Sequence, residues 1–360
     1  MARTLVDLFR SQVEKSGDRP ALRHRVGSDW QTISWSEYGE QVAALALALD
    51  HRGIGRHDTV AIISSCRPEY FVCDLAANWV GAASVSIYAT SAPAQIAYVL
   101  NNASSRIIFC ENDEQVAKTE RIRRDFPDLL TVGFAGCTAE VSFAELLAEG
   151  RELLAAEPQR LAELSRVAQP EDPACLIYTS GTTGPPKGAL IPHSTVLRIL
   201  AALRRAFPSE TPFRVVSYLP LAHIAERNVS LYSQLLQGGE VWFGSVPTLV
   251  DDLRAARPTR LLGVPRVWEK FAAALQPHAP IPGELTPGER RELLASIGLD
   301  QVDVAITGAA PISVDTISYF HALGLELLEA YGMTETGGFS TSNPRGAARL
   351  GTVGTAVAGV

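Results

Sequence analysis

The sequence has few cysteines, and their spacing forms no metal-binding pattern. Five occur among 360 residues, without a CxxC pair or a Cys/His cluster. An odd number of scattered thiols is typical of proteins from reducing compartments. Structural zinc and a disulfide framework are therefore both disfavoured. The cysteines are Cys66, Cys73, Cys110, Cys137 and Cys175.

Long apolar runs are also missing. The longest, VAALALAL after Gln41, is far shorter than the roughly 20 residues that cross a bilayer. The N-terminal segment mixes apolar and charged residues at helical spacing and lacks the uninterrupted apolar core of a signal peptide. We expect a cytoplasmic protein, and peripheral contact with a membrane stays open.

An excess of positive charge is absent as well. The chain has 32 Lys and Arg against 39 Asp and Glu, which gives a net charge of -7. A general nucleic-acid-binding surface needs a basic face, so no nucleic-acid partner is expected. Any anionic ligand must be held by local cations.

Helical and strand patterns alternate through most of the chain. Short apolar segments such as TVAIIS, SVSIY and RIIFC are separated by stretches with apolar residues at helical spacing. This alternation predicts largely parallel sheets covered by helices. The length exceeds what one core usually serves. We therefore expect an α/β fold with two packed lobes, a first over 1–168 and a second over 169–350.

Residues 178–188, YTSGTTGPPKG, combine small hydroxyls, three glycines and one lysine. A glycine-rich turn lets backbone N–H groups converge on a phosphate, and small hydroxyls add donors without blocking it. Lys187 supplies a full positive charge. The loop follows the apolar strand CLIYTS and precedes a helical stretch, an order that predicts a phosphate site at the carboxyl end of a sheet strand.

This loop is not a Walker A motif. That motif has two glycines separated by four residues, with Lys and then Ser or Thr directly after the second. Here Lys187 follows two prolines and precedes Gly188, so a P-loop kinase or ATPase is the weaker interpretation. A flexible Ser/Gly-rich surface turn is the plain alternative, and the lysine and the flanking strand argue against it.

Three further stretches point to the same type of site. PLAHIAER places His223 just after an apolar strand, although a single histidine is more often structural than catalytic. AITGAAP offers small residues at a strand end, where a flat ring could lie against the backbone; an ordinary tight turn is the alternative. EAYGMTETGG contains Tyr331, Thr334 and Glu335, which could stack a base and supply a carboxylate to magnesium. Glu335 could equally be a solvated acid at a helix start.

Taken together, the four stretches resemble the adenylate-forming, or AMP-binding, superfamily of acyl-CoA synthetases, peptide-synthetase adenylation domains and luciferases. YTSGTTGPPKG looks like that family's phosphate loop, GAAP its adenine wall, and YGMTET its signature tyrosine, threonine and glutamate. PLAHIAER together with GVPRVWEK is similar to the long-chain fatty acyl-CoA synthetase branch. The resemblance implies a ligase that uses ATP and Mg2+ to convert a fatty acid to an acyl-adenylate and then transfers the acyl group to coenzyme A.

The resemblance also implies roles for individual residues. Thr334 would contact the α-phosphate, Glu335 would bind magnesium, and His223 would orient the reacting carboxylate or shape the acyl tunnel. The β- and γ-phosphates would be held by Thr179, Ser180, Gly181, Thr182, Thr183, Gly184 and Lys187. The adenine would be held by Gly308, Ala309, Ala310, Tyr331 and the adjoining Gly332.

The family's pattern extends past the last residue of this sequence. The resemblance implies a ribose-binding aspartate, a hinge and a mobile C-terminal domain with a lysine for adenylation, and none is among the 360 residues. GTVGTAVAGV resembles the start of the next motif, so 351–360 is expected to begin a truncated β-rich region. Two hypotheses follow. One is a fatty acid:CoA ligase that is impaired alone, with a separate chain supplying the missing domain; the other is a non-catalytic or degenerate ATP- or acyl-binding protein.

Overall fold

The computed structural model describes residues 2–179 and 184–359. The described residues form two compact units. The first comprises Met1–Leu197 and Pro220–Ile224, and the second comprises Arg198–Leu219 and Ala225–Val360.

The elements of the first unit alternate between strands and helices, as the sequence pattern predicts. Its strands are β1 (Pro20–Val26), β2 (Asp29–Ser34), β3 (Thr59–Ile63), β4 (Ala83–Ile87), β5 (Ile107–Cys110), β6 (Leu130–Gly133), β7 (Val141–Ser142), β8 (Pro173–Thr179) and β9 (Lys187–Pro192). Its helices are α1 (Leu5–Ser16), α2 (Trp35–His51), α3 (Pro68–Trp79), α4 (Pro93–Ala103), α5 (Asp113–Glu120), α6 (Phe143–Ala156) and α7 (Pro158–Leu164), with a 3-10 turn at Arg123–Asp125.

Two helices cross the division along the chain, and the remaining elements belong to the second unit. The crossing helices are α8 (His193–Ala206) and the short α9 (Ile224–Glu226). The strands of the second unit are β10 (Arg214–Ser217), β11 (Glu240–Phe243), β12 (Arg260–Gly263), β13 (Val304–Thr307), β14 (Leu327–Tyr331), β15 (Thr341–Ser342) and β16 (Thr355–Ala356). Its helices are a π-helix at Arg227–Tyr232, α10 (Ser233–Gln237), α11 (Leu249–Ala256), α12 (Pro265–Leu275), α13 (Pro287–Ala295) and α14 (Val314–Ala322), with 3-10 turns at Pro282–Glu284 and Thr334–Thr336.

Seven strands of the first unit, counted over the described residues, form one sheet in the order β7-β6-β5-β3-β4-β8-β9. All neighbouring pairs are parallel except β8 and β9, which are antiparallel. Every residue of β3, β4 and β5 is buried, as expected for parallel strands covered on both faces. The predicted α/β class is confirmed.

The division between the units differs from the boundary expected near residue 168. β8 lies beyond that boundary in sequence but pairs with β4 of the first sheet, where Ser84, Val85 and Ser86 face Cys175, Leu176 and Ile177. An apolar run identifies a strand, but it does not say which sheet the strand joins. The division falls instead within α8, between Leu197 and Arg198.

Helix starts in the first unit follow their capping residues. The Thr4 hydroxyl accepts the Asp7 N–H, and the Asp7 carboxylate accepts the Thr4 N–H, so α1 begins with a capping box. Ser34 and Glu37 form the same reciprocal pair at the start of α2. Each box satisfies backbone donors that the first helical turn leaves unpaired.

Helices α2 and α6 of the first unit touch through their backbones at Gly150. A Cβ added to Gly150 would lie 1.8 Å from the Ala44 carbonyl oxygen and 2.8 Å from the Ala44 Cα. Backbone atoms in a packed helix cannot move aside as the tip of a side chain can. The position therefore requires glycine, although glycine is unfavourable inside a helix.

The second unit has a sheet in the order β12-β13-β14-β15-β16 across its described strands. β12, β13 and β14 are parallel, and β15 and β16 add antiparallel pairs. Separately, β10 pairs with β11 in parallel. The largest core side chain, Trp268, is fully buried, and its Nε1 donates to the Gly263 carbonyl at 3.0 Å. No helix in the described part of the chain has the length and hydropathy needed to span a membrane.

We expect Gly150→Ala to lower the free energy of unfolding by about 2 kcal/mol, because the added methyl group must push α6 away from α2. Helix propensity alone predicts the opposite sign, a gain of about 1 kcal/mol. Urea unfolding of the two proteins measures the difference. Gly288→Ala in α13 is the matched control, since its added Cβ would meet nothing closer than 4.0 Å; a loss of stability there as large as at Gly150 would contradict the packing argument.

Candidate active site

The predicted phosphate loop connects two antiparallel strands of the first unit. Thr179 ends β8 and Lys187 begins β9, and the two residues are register partners. Gly184, in the returning part of the loop, has a φ of +93°, a backbone conformation that glycine adopts without a steric penalty. Four predicted phosphate contacts, Ser180, Gly181, Thr182 and Thr183, lie outside the described residues.

The order strand, loop, helix expected for this segment is wrong. β9 stands between the loop and α8, and it runs antiparallel to β8 along residues 187–192. The apolar run GALIP after Lys187 favours an extended conformation, and the helix begins only after Pro192. In the described part of the chain, α8 therefore does not begin directly after Lys187, and backbone N–H groups, hydroxyls and the lysine remain the predicted anion-binding groups.

Two aromatic residues hold the described ends of this loop. The Tyr98 hydroxyl of α4 donates to the Pro186 carbonyl at 2.8 Å, and the Tyr178 hydroxyl of β8 donates to Asn102 Oδ1 at 2.7 Å. The two rings meet edge to face, with centroids 6.4 Å apart. Gly188 lets Tyr178 lie close, because a Cβ there would be 3.1 Å from the ring. Sequence reasoning missed this anchor, whose only local signal is that Tyr98 and Asn102 lie on one face of a helix.

Lys187 is exposed, and among the described residues it forms no ion pair. An exposed ammonium group next to a glycine-rich turn can contact phosphate oxygens without first breaking an internal salt bridge. This placement agrees with the sequence-based role of Lys187 as the cation of the loop. Its contact with phosphate remains a prediction.

His223 lies in the first unit, in the short segment Pro220–Ile224. The His223 N–H closes a turn on the Pro220 carbonyl at 2.9 Å. The buried Tyr70 hydroxyl of α3 lies 2.7 Å from the Ser86 hydroxyl and donates to the Leu221 carbonyl at 3.4 Å. The His223 ring keeps access to solvent, while partial burial lowers the pKa of the imidazole. A neutral imidazole can orient a carboxyl group through a hydrogen bond.

The predicted adenine wall and the signature tyrosine meet at one edge of the second sheet. Gly308, Ala309 and Ala310 follow β13, and Tyr331 ends β14. The two strands are parallel, with Thr307 opposite Glu329, so their carboxyl ends share an edge. A Cβ on Gly308 would lie 2.8 Å from the Ala330 carbonyl oxygen. The small-residue turn therefore lies directly against the end of β14, and the Tyr331 ring is 46% exposed.

Two buried polar atoms beneath this edge have no hydrogen-bond partner within the described chain. They are Thr307 Oγ1 and Glu329 Oε2, which belong to register partners on adjacent parallel strands. Burial raises the pKa of the Glu329 carboxyl. Unpaired buried groups cost free energy unless a ligand or water completes them. Thr307 directly precedes the small turn and Glu329 lies two residues before Tyr331, and sequence reasoning missed both.

The segment after β14 folds back tightly on itself. A Cβ on Gly332 would lie 2.4 Å from the Gly338 backbone, and the Gly338 N–H donates to the Met333 carbonyl at 2.8 Å. Thr334–Thr336 form a 3-10 turn that ends at Gly337, whose φ is +81°. Thr334 is half-buried, and the Glu335 side chain is exposed.

A magnesium ion would have few protein ligands here. No group of three or more His, Cys, Asp and Glu side chains among the described residues could hold a metal ion. Mg2+ in nucleotide sites is often held by one or two carboxylates together with substrate phosphates. The exposed Glu335 carboxylate, which has no hydrogen bond or ion pair in the described chain, fits that arrangement.

Glu226 is a fully buried carboxyl group in the second unit. Its Oε1 accepts a hydrogen bond from the Ser217 hydroxyl at 2.7 Å, and it is 2% exposed. Burial raises the pKa of Glu226 to about 7, although bonds from Ser217, Ser230 and the Leu219 backbone partly offset that effect. The side chain therefore changes its charge near neutral pH.

Comparisons with known proteins identify the family. The model of the family described as AMP-binding enzyme matches residues 9–360. The chicken (Gallus gallus) protein named long-chain-fatty-acid–CoA ligase ACSBG2 is 30% identical over 405 residues, which cover 99% of this chain and 53% of that protein. Its namesake from Xenopus laevis is 29% identical, with 99% and 54% covered. The chain thus spans about half the length of the curated relatives it matches.

Solved structures share the fold. The ATP-bound crystal structure of MatB from Rhodopseudomonas palustris superposes with a TM-score of 0.79 at 25% identity, covering 99% of this chain and 65% of that one. The anthranilate CoA ligase AuaEII in complex with anthranoyl-AMP gives a TM-score of 0.80 at 19% identity, with 99% and 65% covered. The second likeness shows the fold alone.

We expect Glu226→Gln to become more stable relative to the wild type as pH rises. The folded pKa of about 7 lies above the unfolded one, so the protonated carboxyl contributes stability that is fully present below about pH 4.5 and lost as pH rises through 7. Relative to the wild type, the free energy of unfolding of Glu226→Gln should increase by about 3 kcal/mol at most over this pH range. Urea unfolding followed by tryptophan fluorescence from acid to mildly alkaline pH measures it.

The exposed Glu292 in α13 provides the matched control for this experiment. Glu292→Gln should follow the pH dependence of the wild type. If the free energies of unfolding of Glu226→Gln and the wild type changed with pH in the same way, the pKa of Glu226 would not differ between the folded and unfolded states.

Proposed function

Since the chain belongs to the AMP-binding enzyme family, we propose that it activates a carboxylic acid with ATP, and that the acid is a long-chain fatty acid. A carboxylate oxygen attacks the α-phosphorus of ATP, the bond to the β-phosphate oxygen breaks, and pyrophosphate leaves. In the second step the coenzyme A thiol, after losing its proton, attacks the acyl carbon. The bond to AMP then breaks and a thioester forms.

The observation that carries this proposal is the edge where β13 and β14 end. An exposed Tyr331 ring and the small turn Gly308–Ala310 adjoin two unpaired buried acceptors, Thr307 Oγ1 and Glu329 Oε2. This edge offers an aromatic face and a flat backbone wall to one planar ring, and the two buried oxygens lie on the strands that carry them. A purine bound through stacking and edge hydrogen bonds requires that set of groups.

The groups of the first unit suit the phosphate part of the reaction. Carboxylate and ATP repel each other, so the site must neutralise the phosphates and align the reactants. Lys187 and the hydroxyl-rich loop provide the neutralising groups for the departing pyrophosphate. The anchors from Tyr98 and Asn102 hold both ends of the loop, which reduces the ordering cost of binding.

In the second unit, Thr334 would donate to the α-phosphate, and Glu335 would hold Mg2+. The ion would supply charge neutralisation for the phosphate oxygens. His223 would orient the acid's carboxylate by a hydrogen bond. The names of the relatives, all long-chain-fatty-acid–CoA ligases at 27 to 30% identity, support a fatty acid as the substrate.

The setting of the reaction is part of the proposal. None of the five cysteines, all within the described part of the chain, forms a disulfide bond, which suits a reducing compartment such as the cytoplasm. A fatty acid partitions into bilayers, so peripheral membrane contact and a separate chain that completes the thioester step are both compatible with this function.

We expect the 360-residue chain to exchange labelled pyrophosphate into ATP slowly, in keeping with the impaired activity expected from the sequence, and only when Mg2+ and palmitate are present. Lys187→Ala should slow the exchange by about 100-fold or more, because the loop loses its full positive charge. The exposed Lys270 in α12 is the control, and Lys270→Ala should exchange at the wild-type rate.

Exchange that continues without palmitate would contradict the assigned reaction. Exchange at the wild-type rate in Lys187→Ala would contradict the assignment of Lys187 as the cation. A folded chain that binds ATP by calorimetry but shows no exchange would favour the alternative of a nucleotide-binding protein without catalysis.

A further inference from the structure

A polar helical segment lies buried in the second unit, just after His223 in sequence. It consists of the π-helix Arg227–Tyr232 followed by α10. π-Helical turns are rare and occur often at functional sites. The polar residues of this region that are at most 6% exposed are Glu226, Arg227, Asn228, Ser230, Ser233 and Gln234.

Asn228 connects this segment to the turn that follows the signature tyrosine. Its Nδ2 donates to the Gly337 carbonyl at 2.7 Å, and the residue is 2% exposed. The amide cannot be turned over, because Oδ1 would then face another carbonyl oxygen. The Ser233 hydroxyl donates to the Asn228 carbonyl at 2.6 Å, so the backbone that carries the side chain is also held.

The turn at Thr334–Thr336 is otherwise stabilised mostly by its own atoms. The Gly337 N–H donates to the Thr334 carbonyl at 2.9 Å, and the Thr336 hydroxyl donates to the Met333 carbonyl at 3.0 Å. These local bonds shape the turn, and the pairing of Tyr331 with Thr341 holds the two ends of the segment on the sheet. The Asn228 bond comes from a distant part of the chain and ends on Gly337, directly after the turn.

We propose that Asn228 is a positioning residue that fixes the turn carrying Thr334 and Glu335 in its nucleotide-binding orientation. The inference rests on the proposed function, because the orientation of the turn matters only if the turn binds a nucleotide. Asn228 does not touch the reacting atoms. It acts through Gly337, and what it supplies is a neutral donor at a buried carbonyl oxygen.

The unpaired atom of the same amide supports this role. Asn228 Oδ1 is buried and has no partner in the described chain, and an unsatisfied buried acceptor is costly. A residue needed only to fill space would be cheaper as an apolar side chain of the same size. The hydrogen bond that Nδ2 donates to the Gly337 carbonyl therefore explains why an amide occupies this position.

Asn228→Asp and Asn228→Leu test the proposal. An ionised aspartate would repel the Gly337 carbonyl, whereas a protonated one could donate its O–H to the same oxygen, and burial moves its pKa toward neutral pH. Leucine has a similar volume and cannot donate at any pH. The two variants therefore separate hydrogen-bond donation from packing.

Binding of MgATP, measured by calorimetry between about pH 5.5 and pH 8, gives the first result. At the alkaline end we expect both variants to lose affinity by about 10-fold or more, which corresponds to the loss of one buried hydrogen bond to an acceptor left unpaired. As pH falls, Asn228→Asp should recover to within about 3-fold of the wild type, while Asn228→Leu should not. Gln159→Glu, at an exposed amide of α7, is the control and should match the wild type throughout.

Hydrogen exchange without nucleotide gives the second result. Amides in the segment 333–340 should exchange faster in both variants at alkaline pH, and thermal unfolding should confirm that each variant is folded. Wild-type affinity in both variants, or an equal loss at every pH, would overturn the proposal. If the wild type binds no MgATP, the proposed function fails, and the hydrogen-exchange result alone then decides the positioning role. Unchanged exchange of the 333–340 amides in both variants would overturn that role, and faster exchange would support it.

Discussion

The in-register pairing of parallel strands is the constraint on which the predicted binding segment of each unit depends. Parallel strands end at the same edge of a sheet, so segments far apart in sequence emerge side by side. In the first unit this places Thr179, the last residue of β8, at the same edge as the end of β4. In the second unit it places the small turn after β13 beside Tyr331 at the end of β14. Helices cover the faces of such sheets, and the edge formed by the strand ends is the part left to a ligand.

Glycine at two contacts makes the second of these edges compact. Gly308 approaches the Ala330 carbonyl, and Gly332 approaches the Gly338 backbone, each so closely that a Cβ would overlap main-chain atoms. A side chain at either position would push the small turn or the Thr334–Thr336 turn away from the end of β14. The glycines of GAAP and YGMTET therefore shape the surface that meets a ring, in addition to allowing the chain to turn.

The sequence predicted the elements and the loops of the site, but not the contacts that hold the loops. The alternating pattern identified β3, β4, β5 and most of the second sheet, because hydrophobic periodicity is a local signal. It did not predict β9, since sheet membership depends on pairing between distant segments. Asn228, Glu329 and Tyr98 escaped notice for the same reason. Each is an ordinary residue in its own segment, and its role is defined by a partner on another element.

The second sheet carries several buried polar atoms without hydrogen-bond partners in the described chain. Thr307, Glu329 and Thr341 lie on three successive strands, and each has a buried oxygen without a partner in the described chain. Replacing such groups by apolar ones of the same shape would stabilise the sheet, because each unpaired group costs about 1–3 kcal/mol. Burial raises the pKa of the Glu329 carboxyl, because the charged form loses solvation. Under the proposed function, this loss of stability lies next to the strand ends that would hold the nucleotide ring.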